Sequence, residues 1–248
     1  MRLLLINGNT TEAITELIVR EARAAAPEGV ELRGVTARLG AAYVASRAAY
    51  AVAAHGVLDA WAAFGAAEPP DAAVLACFGD PGLHALKEVA GVPVVGMSEA
   101  AVLEAAARDG RFSIVTGGAA WAPMLTELVA SFGFADRLAS VRAVAPSGAA
   151  IARDPDGALA TLAEACEAAR GDGADTVILG GAGLAGLKAR VAARTDVPLI
   201  DGLEAAVARA VTLAGARKSA SVPPRDGVPT VGLLPELAAL LEKPQAVA

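Results

Sequence analysis

Residues 71–83 read DAAVLACFGDPGL, and residues 175–187 read DTVILGGAGLAGL, which is a similar pattern 104 positions later. In both stretches a short apolar run leads into a glycine-rich turn. A second pair lies at nearly the same offset: VPVVGMSEAAV at residues 92–102 and VPLIDGLEAAV at residues 197–207. Every strand–helix protein repeats apolar runs, but shared Val-Pro and Glu-Ala-Ala-Val strings at matching offsets favour an internal duplication. The sequence therefore predicts two similar lobes.

Short runs rich in valine, isoleucine and leucine alternate with longer alanine-rich segments of helical period. The predicted strands are Arg2–Asn7, Val30–Thr36, Asp71–Cys77, Val92–Gly96, Arg111–Thr116, Leu138–Val144, Ala174–Gly180 and Val197–Asp201. The predicted helices include Glu12–Ala26, Pro81–Ala90, Glu99–Arg108, Gly157–Arg170 and Gly202–Ala216. The alternation predicts an α/β fold with two Rossmann-like lobes, each a parallel sheet covered by helices on both faces. The proline-rich tail after Val222 is predicted to end in a short helix packed over the body.

The composition excludes several functional classes. A chain of 248 residues with 55% hydrophobic and 19% charged residues can bury a core and is not disordered. A net charge of -6 without a basic cluster argues against nucleic acid and membrane surfaces as partners. The longest uncharged stretch has 15 residues, fewer than the roughly 20 that a membrane helix needs. Two cysteines form neither a metal-ligand pattern nor a disulfide framework. We expect a cytoplasmic protein without a metal site.

Polar, small or nucleophilic residues follow the ends of several predicted strands. In open parallel sheets, ligands bind beyond the carboxyl ends of the strands, so these residues are expected to converge on a cleft between the lobes. They are Asn7, Asn9, the run from Cys77 to Asp80, Ser98, the run from Thr116 to Gly118, and the run from Gly180 to Gly183.

Cys77 is the residue in this set best suited to chemistry. It ends a strand, and Asp80 and Pro81 suit the N-cap and first position of the next helix. A thiol beside a helix N-terminus is stabilised as thiolate, which makes Cys77 a candidate base or nucleophile. A small buried hydrophobe at a strand end is the alternative interpretation. Cys166, inside a helical run, is expected only to pack.

One motif points to a different function. Residues 181–186 read GAGLAG, a G-x-G-x-x-G between a strand and a helix, and Asp201 lies 20 residues after Gly181. This pattern is similar to the fingerprint in which glycines approach a dinucleotide pyrophosphate and an acid holds the ribose. The corresponding turn at residues 77–82 lacks it, and the duplication explains these glycines as the equivalent turn of the second lobe. An NAD-dependent oxidoreductase is thus the less favoured alternative.

Together these residues resemble the Asp/Glu/hydantoin racemase superfamily, most closely its hydantoin and allantoin racemase branch. The resemblance covers roughly residues 1–216. Its motifs are INGNT at 6–10, ACFGDPG at 76–82, VGMSEAA at 95–101, RFSIVT at 111–116 and LGGAG at 179–183. It implies two lobes related by pseudo-twofold symmetry, a small-molecule substrate, no cofactor and a homo-oligomer. It also implies that the chain returns to the first lobe, giving lobes of 1–97 plus 208–248 and of 98–207.

The resemblance further implies a mechanism with two cysteines on opposite faces of a substrate carbon next to a carbonyl. One thiolate removes a proton and the other thiol returns one from the opposite face. The enolate-like intermediate needs hydrogen-bond donors. The residues expected to supply these donors or to contact the substrate are Asn9, Phe78, Gly79, Ser98, Thr116, Gly117, Ala182 and Gly183.

At the second cysteine position this chain has Gly181. Three interpretations fit: an engineered inactive variant of a racemase, a natural enzyme with one catalytic cysteine, or a protein that only binds a small cyclic amide or carboxylate. A one-thiol enzyme would be related to the arylmalonate decarboxylases of the superfamily, with the thiol on the opposite side. The favoured expectation is proton transfer on a hydantoin-like substrate with Cys77 as acid/base. No basic residue is expected at the strand ends, and Lys188 lies too far into its helix to take a second carboxylate.

Overall fold

The computed structural model describes residues 1–216 and 226–244. The strands are β1 (Arg2–Asn7), β2 (Glu31–Thr36), β3 (Ala72–Leu75), β4 (Val94–Gly96), β5 (Phe112–Gly117), β6 (Leu138–Val144), β7 (Thr176–Gly180) and β8 (Leu199–Asp201). The helices are α1 (Glu12–Ala25), α2 (Arg47–Phe64), α3 (Leu83–Ala90), α4 (Met97–Ala106), α5 (Trp121–Ser131), α6 (Gly148–Arg153), α7 (Pro155–Gly171), α8 (Lys188–Ala192), α9 (Gly202–Gly215) and α10 (Pro235–Glu242). None of the helices in these ranges is long and apolar enough to cross a membrane.

The strands form two parallel four-stranded sheets with the same topology. Their orders are β2-β1-β3-β4 and β6-β5-β7-β8. The register of the central pair is repeated as well: Leu3 lies opposite Ala72 in the first sheet, and Phe112 lies opposite Thr176 in the second. Ala72 and Thr176 are equivalent positions of the two aligned stretches, and residues 2–9 align with residues 111–118 in the same way, which makes Leu3 equivalent to Phe112. The predicted α/β fold with two similar lobes is confirmed.

A repeated hydrogen bond pins the start of the central strands in both lobes. The backbone N–H of Arg2 donates to the Asp71 carboxylate at 2.7 Å, and that of Arg111 donates to the Asp175 carboxylate at 2.8 Å. The two aspartates open the two aligned stretches. Their repetition therefore has a local structural cause: each carboxylate satisfies a backbone donor at the edge of its sheet.

The core is divided by the two faces of each sheet. Because side chains alternate along a strand, Leu3 and Leu5 enter a central cluster, whereas Leu4 and Ile6 enter an outer one. The central cluster also takes residues from β5 and β7, so both sheets contribute to it. Outer clusters cover the far face of each sheet, one under α2 and α3 and the other under α7 and α8.

Helices α4 and α9 connect the lobes within the central cluster. The α4 helix follows β4 of the first sheet but also packs against β7 and β8 of the second. The α9 helix follows β8 of the second sheet but packs against β3 and β4 of the first. The two helices also pack against each other. This exchange holds the carboxyl ends of the two sheets beside a common cleft.

Two predictions about local structure can be compared with the model. The predicted start of the helix at Pro81 is two residues too early: α3 begins at Leu83 with Gly82, and not Asp80, as its N-cap, in a left-handed conformation. The terminal helix is confirmed as α10, which packs on α2. The beginning of the tail, at residues 222–225, lies outside the described residues.

Candidate active site

A cavity of about 460 Å³ opens between the carboxyl ends of the two sheets. From the first lobe it is lined by the β1–α1 loop, the turn after β3 and a loop that precedes α2. From the second lobe it is lined by the ends of β5 and β7 and by α6. Among the residues expected from the sequence, those that line it are Asn9, Cys77, Phe78, Thr116, Gly117, Gly181, Ala182 and Gly183.

Cys77 lies at the first-lobe wall of this cavity. Its side chain is only 7% exposed, and its carbonyl oxygen accepts a hydrogen bond of 2.9 Å from the backbone N–H of Asp80. This bond closes a tight turn that directs the chain away from the sheet. The thiol therefore stands between the apolar end of the strand and the open cavity.

The expectation that a helix N-terminus stabilises the thiolate of Cys77 is wrong. Because α3 begins six residues after Cys77, the thiol is not at its first turn. Burial and, to a lesser extent, the nearby Asp80 carboxylate raise the pKa of Cys77 to about 12. The resting form at neutral pH is therefore the thiol, a proton donor, and the thiolate is a minor species.

Asp80 does not cap α3 but reaches the next helix along the chain. Its carboxylate accepts hydrogen bonds from the backbone N–H groups of Ser98 at 3.1 Å and Glu99 at 2.7 Å, at the start of α4. Asp80 has a positive φ of 51°, which is uncommon for a residue with a side chain. Burial raises its pKa to about 7 in spite of these bonds. The turn of Cys77 is thus tied to α4 through a carboxyl group that ionises near neutrality.

The second-lobe wall has a glycine where the first lobe has its thiol. Gly181 has φ 150° and ψ 137°, a conformation that residues with a side chain rarely adopt. A Cβ built at this position would lie 3.2 Å from Cδ1 of Leu184 and 3.9 Å from Oγ1 of Thr116. A small side chain would therefore need only a slight shift of Leu184, but the φ angle of this residue favours glycine.

Among the residues expected from the sequence, Asn9 and Thr116 have side chains that can offer polar hydrogens inside the cavity. The Oδ1 atom of Asn9 accepts from Nδ2 of Asn7 and from the backbone of Thr11, which fixes the orientation of the amide. Its Nδ2 group donates to no other described residue. Thr116 is the penultimate residue of β5 and lies beside Gly181. Asn9 and Thr116 therefore supply one donor group from each lobe.

Backbone donors are arranged in the same paired way. The N–H group of Phe78 follows Cys77, and those of Ala182 and Gly183 follow Gly181; these three residues line the cavity. None of the three donates to another described residue. Backbone N–H groups left unpaired beside a cavity are suited to binding an oxygen that gains negative charge.

Phe78 contributes mainly to packing between the lobes. A Cβ on Gly180 would lie 2.4 Å from its ring, and one on Gly202 would lie 3.0 Å from it. The ring therefore reaches across to the second sheet, and glycine is needed there because the aromatic ring approaches the backbone so closely.

Gly79 and Ser98 were expected to contact the substrate, but neither residue lines the cavity. A Cβ on Gly79 would lie 2.5 Å from the ring of Trp121. Ser98 is 1% exposed, and its hydroxyl oxygen has no hydrogen-bond partner among the described residues. The absence of a side chain at Gly79 and the small side chain of Ser98 instead allow tight packing behind the cleft.

Sequence reasoning missed two aromatic residues of the cavity wall. Trp121 begins α5, and Tyr43 lies in the loop before α2. The Tyr43 hydroxyl donates to the carbonyl oxygen of Gly117 at 3.1 Å, which fastens this first-lobe loop to the second lobe. The chain has only two Trp and two Tyr residues, and this scarcity was the available signal.

The cavity and the duplicated fold agree with the comparisons to known proteins. The family model described as Asp/Glu/Hydantoin racemase matches residues 3–210. The chain belongs to this racemase family. It is 36% identical over 207 residues to a hydantoin racemase of Paenarthrobacter aurescens, covering 83% of this chain and 88% of the relative.

Solved structures give the same result. The allantoin racemase from Klebsiella pneumoniae superposes with a TM-score of 0.86 at 34% identity, covering 97% of this chain and 98% of that one. Arylmalonate decarboxylase superposes with a TM-score of 0.60 at 20% identity, covering 87% of this chain and 93% of that one, which shows a shared fold. The higher identities to hydantoin and allantoin racemases favour the racemase interpretation over the decarboxylase alternative.

In this member of the racemase family the dinucleotide motif has structural roles. The Asp201 carboxylate accepts from the backbone N–H groups of Leu203 and Glu204, which caps α9, and from that of Gly186. It is 2% exposed. A Cβ on Gly186 would collide with the Glu21 side chain. An acid occupied in this way is not available to a ribose, so the geometry gives the NAD alternative no support.

Two arginines at the cavity of this racemase-family protein were also missed. Arg20 extends from α1 and Arg153 from the end of α6. The sequence analysis looked for basic residues only at the ends of strands, whereas Arg20 and Arg153 belong to helices. Lys188 forms an ion pair with Glu204. Within residues 1–216 and 226–244, no group of three or more His, Cys, Asp or Glu side chains is placed to hold a metal ion.

Changing Asp80 to asparagine is expected to increase the reactivity of Cys77. Ionised Asp80 disfavours the thiolate, so its removal lowers the pKa of Cys77. Because the pKa of Asp80 is about 7, the difference from wild type should be small below pH 6 and largest above pH 8. One pKa unit is a tenfold change in thiolate, and we expect roughly three- to tenfold faster alkylation by iodoacetamide at pH 8.5.

The matched control is Asp201→Asn, which weakens the corresponding cap in the second lobe without a neighbouring thiol. Both variants are made in a Cys166→Ala background so that only Cys77 is alkylated. An equal rise in both would show that loosened packing, and not the charge of Asp80, controls the thiol.

Proposed function

We propose that this protein is a cofactor-independent isomerase of the racemase family that moves the C5 proton of 5-monosubstituted hydantoins, with Cys77 as acid/base. The observation that carries the proposal is the position of Cys77: a thiol at the wall of a cavity between two duplicated lobes, with unpaired donors from both lobes around it. Relatives named hydantoin racemase and allantoin racemase support this substrate class.

The proposed reaction begins with the minor thiolate form of Cys77. Its sulfur accepts the C5 hydrogen as a proton, and the electron pair of the C–H bond moves towards the adjacent carbonyl group to give an enolate. The negative oxygen is stabilised by the Asn9 amide, the Thr116 hydroxyl and the backbone N–H groups after Cys77 and Gly181. The reaction closes when a proton returns to C5.

The face from which this proton returns decides the product. Return from Cys77 regenerates the starting enantiomer, because the same atom removed the hydrogen. Inversion needs a donor on the Gly181 side. We propose that this chain, with one thiol at the cavity, exchanges the C5 hydrogen more readily with retention than with inversion.

The test is exchange of the C5 hydrogen in D2O, followed by NMR for each enantiomer of a 5-alkylhydantoin, with chiral chromatography of the same samples. We expect exchange of one enantiomer to exceed its inversion. Exchange that always accompanies inversion would show a second acid/base and would contradict the one-thiol mechanism. No exchange above the rate without enzyme, for both enantiomers of several hydantoins, would overturn the proposed function.

We also propose lobes of residues 1–97 plus 208–248 and of residues 98–207. Packing of α9 on β3 and β4, and of α10 on α2, supports the return of the chain to the first lobe. A cytoplasmic location and homo-oligomerisation stay predictions from the sequence and the resemblance.

A further inference from the structure

The cavity is larger than a hydantoin ring with its two carbonyl oxygens requires. Besides Cys77, its walls include one face of α1, at Ile14 and Leu17, and part of α6, at Ala152. Residues three and four apart on a helix share a face, so this wall is a continuous apolar surface. The region has the position and character expected for the binding site of the substituent at C5.

The outer end of this apolar region is cationic. The α1 face ends at Arg20 and the α6 face ends at Arg153, and both side chains line the cavity. Arg20 is already paired with Glu21 at 2.8 Å. Arg153 donates only from Nε, to the carbonyl oxygen of Ala149 at 3.3 Å, and forms no ion pair with any described residue. Its two Nη groups are left without a protein acceptor within the described ranges.

The acidic residues nearest to Arg153 in sequence are engaged elsewhere. The Asp154 carboxylate accepts from the backbone N–H of Gly157 at 3.1 Å and caps α7. Asp156 is paired with Arg190. An arginine in the last turn of a helix can act simply by favourable interaction with the helix dipole, and Nε of Arg153 donates to a carbonyl of its own helix. That role does not use the two Nη groups, and because Arg153 is exposed these groups are accessible to a ligand in the cavity.

We propose that Arg153 selects substrates whose C5 substituent ends in a carboxylate. The inference rests on the proposed function and specifies its substrate class. A carboxylate accepts two parallel hydrogen bonds from a guanidinium, which fixes the far end of the substituent while the ring lies at Cys77. The whole chain carries a net charge of -6, so its overall field repels anions and any preference for them must come from a local cation.

The experiment compares two substrates of nearly equal shape, 5-(2-carboxyethyl)hydantoin and 5-(2-carbamoylethyl)hydantoin, which differ in a carboxylate and an amide. The measured quantity is the ratio of kcat/KM for the acid to that for the amide, from C5 exchange in D2O. We expect the wild type to favour the acid and Arg153→Gln to lower the ratio about fivefold, the range of an exposed ion pair. Higher ionic strength should lower the wild-type ratio.

The control is Arg190→Gln, which removes an equal charge from the same lobe outside the cavity and should keep the wild-type ratio. Equal ratios for wild type and Arg153→Gln, or a wild-type preference for the amide, would overturn the proposal. A readout independent of turnover is protection of Cys77 from iodoacetamide by each compound. If neither compound is turned over but the acid protects at a lower concentration, and only when Arg153 is present, the proposed function fails while the role of Arg153 stands.

Discussion

Replacing Cys77 by serine is expected to lower C5 exchange by at least about 100-fold. Positioned acid/base groups contribute about 10²–10⁴ to a rate, and a hydroxyl is a far weaker acid/base than a thiol at neutral or alkaline pH. Serine differs from cysteine by one atom in a turn fixed by backbone hydrogen bonds, so the fold should be kept. The measurements are exchange kinetics by NMR, and circular dichroism with thermal unfolding to confirm structure.

Cys166→Ala is the matched control for this variant. Cys166 is fully buried in α7, inside the outer cluster of the second lobe. Its truncation removes packing and should lower the unfolding temperature slightly without changing exchange. Wild-type exchange in folded Cys77→Ser would contradict the assignment of Cys77, and loss of exchange in Cys166→Ala would place a catalytic thiol in the buried outer cluster of the second lobe.

Introducing a cysteine at Gly181 is expected to create or strongly raise racemisation. The new sulfur would extend from the second-lobe wall beside Thr116 and supply the missing acid/base on the opposite face. We expect the rate of inversion to rise by about 100-fold or more while exchange with retention changes less. The measurement is chiral chromatography of a single hydantoin enantiomer over time.

The substitution also has a structural cost. At φ 150° a Cβ is strained, and such strain is worth of order 1–3 kcal/mol, so the unfolding temperature should fall by several degrees. Gly181→Ala has the same strain without a thiol and is therefore the control. If the folded cysteine variant inverts hydantoins no faster than the alanine variant, the second-lobe wall does not face C5.

Much of the fold could be predicted because its signals are local. Every predicted strand lies where the structure has one, since buried parallel strands are apolar throughout and the duplication presents each signal twice. The start of α3 could not be predicted, because Asp80 bonds to a helix that begins 17 residues later. The sequence around Asp80 suits an N-cap of the next helix, and it does not show that the carboxylate instead accepts hydrogen bonds from a helix farther along the chain.

The sequence predicted the residues of the candidate site that lie at the ends of strands. Asn9, Cys77, Thr116 and Gly181 line the cavity because parallel strands deliver their carboxyl ends to one edge. Tyr43, Trp121 and Arg153 come from a loop and two helices, whose approach to the cleft depends on tertiary packing. The pKa of Cys77 was predicted in the wrong direction, because burial exceeds any effect of a helix that starts too far away.

The exchange of α4 and α9 between the sheets has a consequence for how the duplicated chain folds. A segment ending at β4 would lack the α9 helix that covers its own sheet, and the segment beginning at β5 would lack α4. Neither lobe therefore covers its own sheet alone, and we expect the two lobes to unfold together in one cooperative transition. The shared packing of α4 and α9 also fixes the separation between Cys77 and Gly181. We therefore expect this separation to stay constant in the folded protein and not to vary through hinge motion between the lobes.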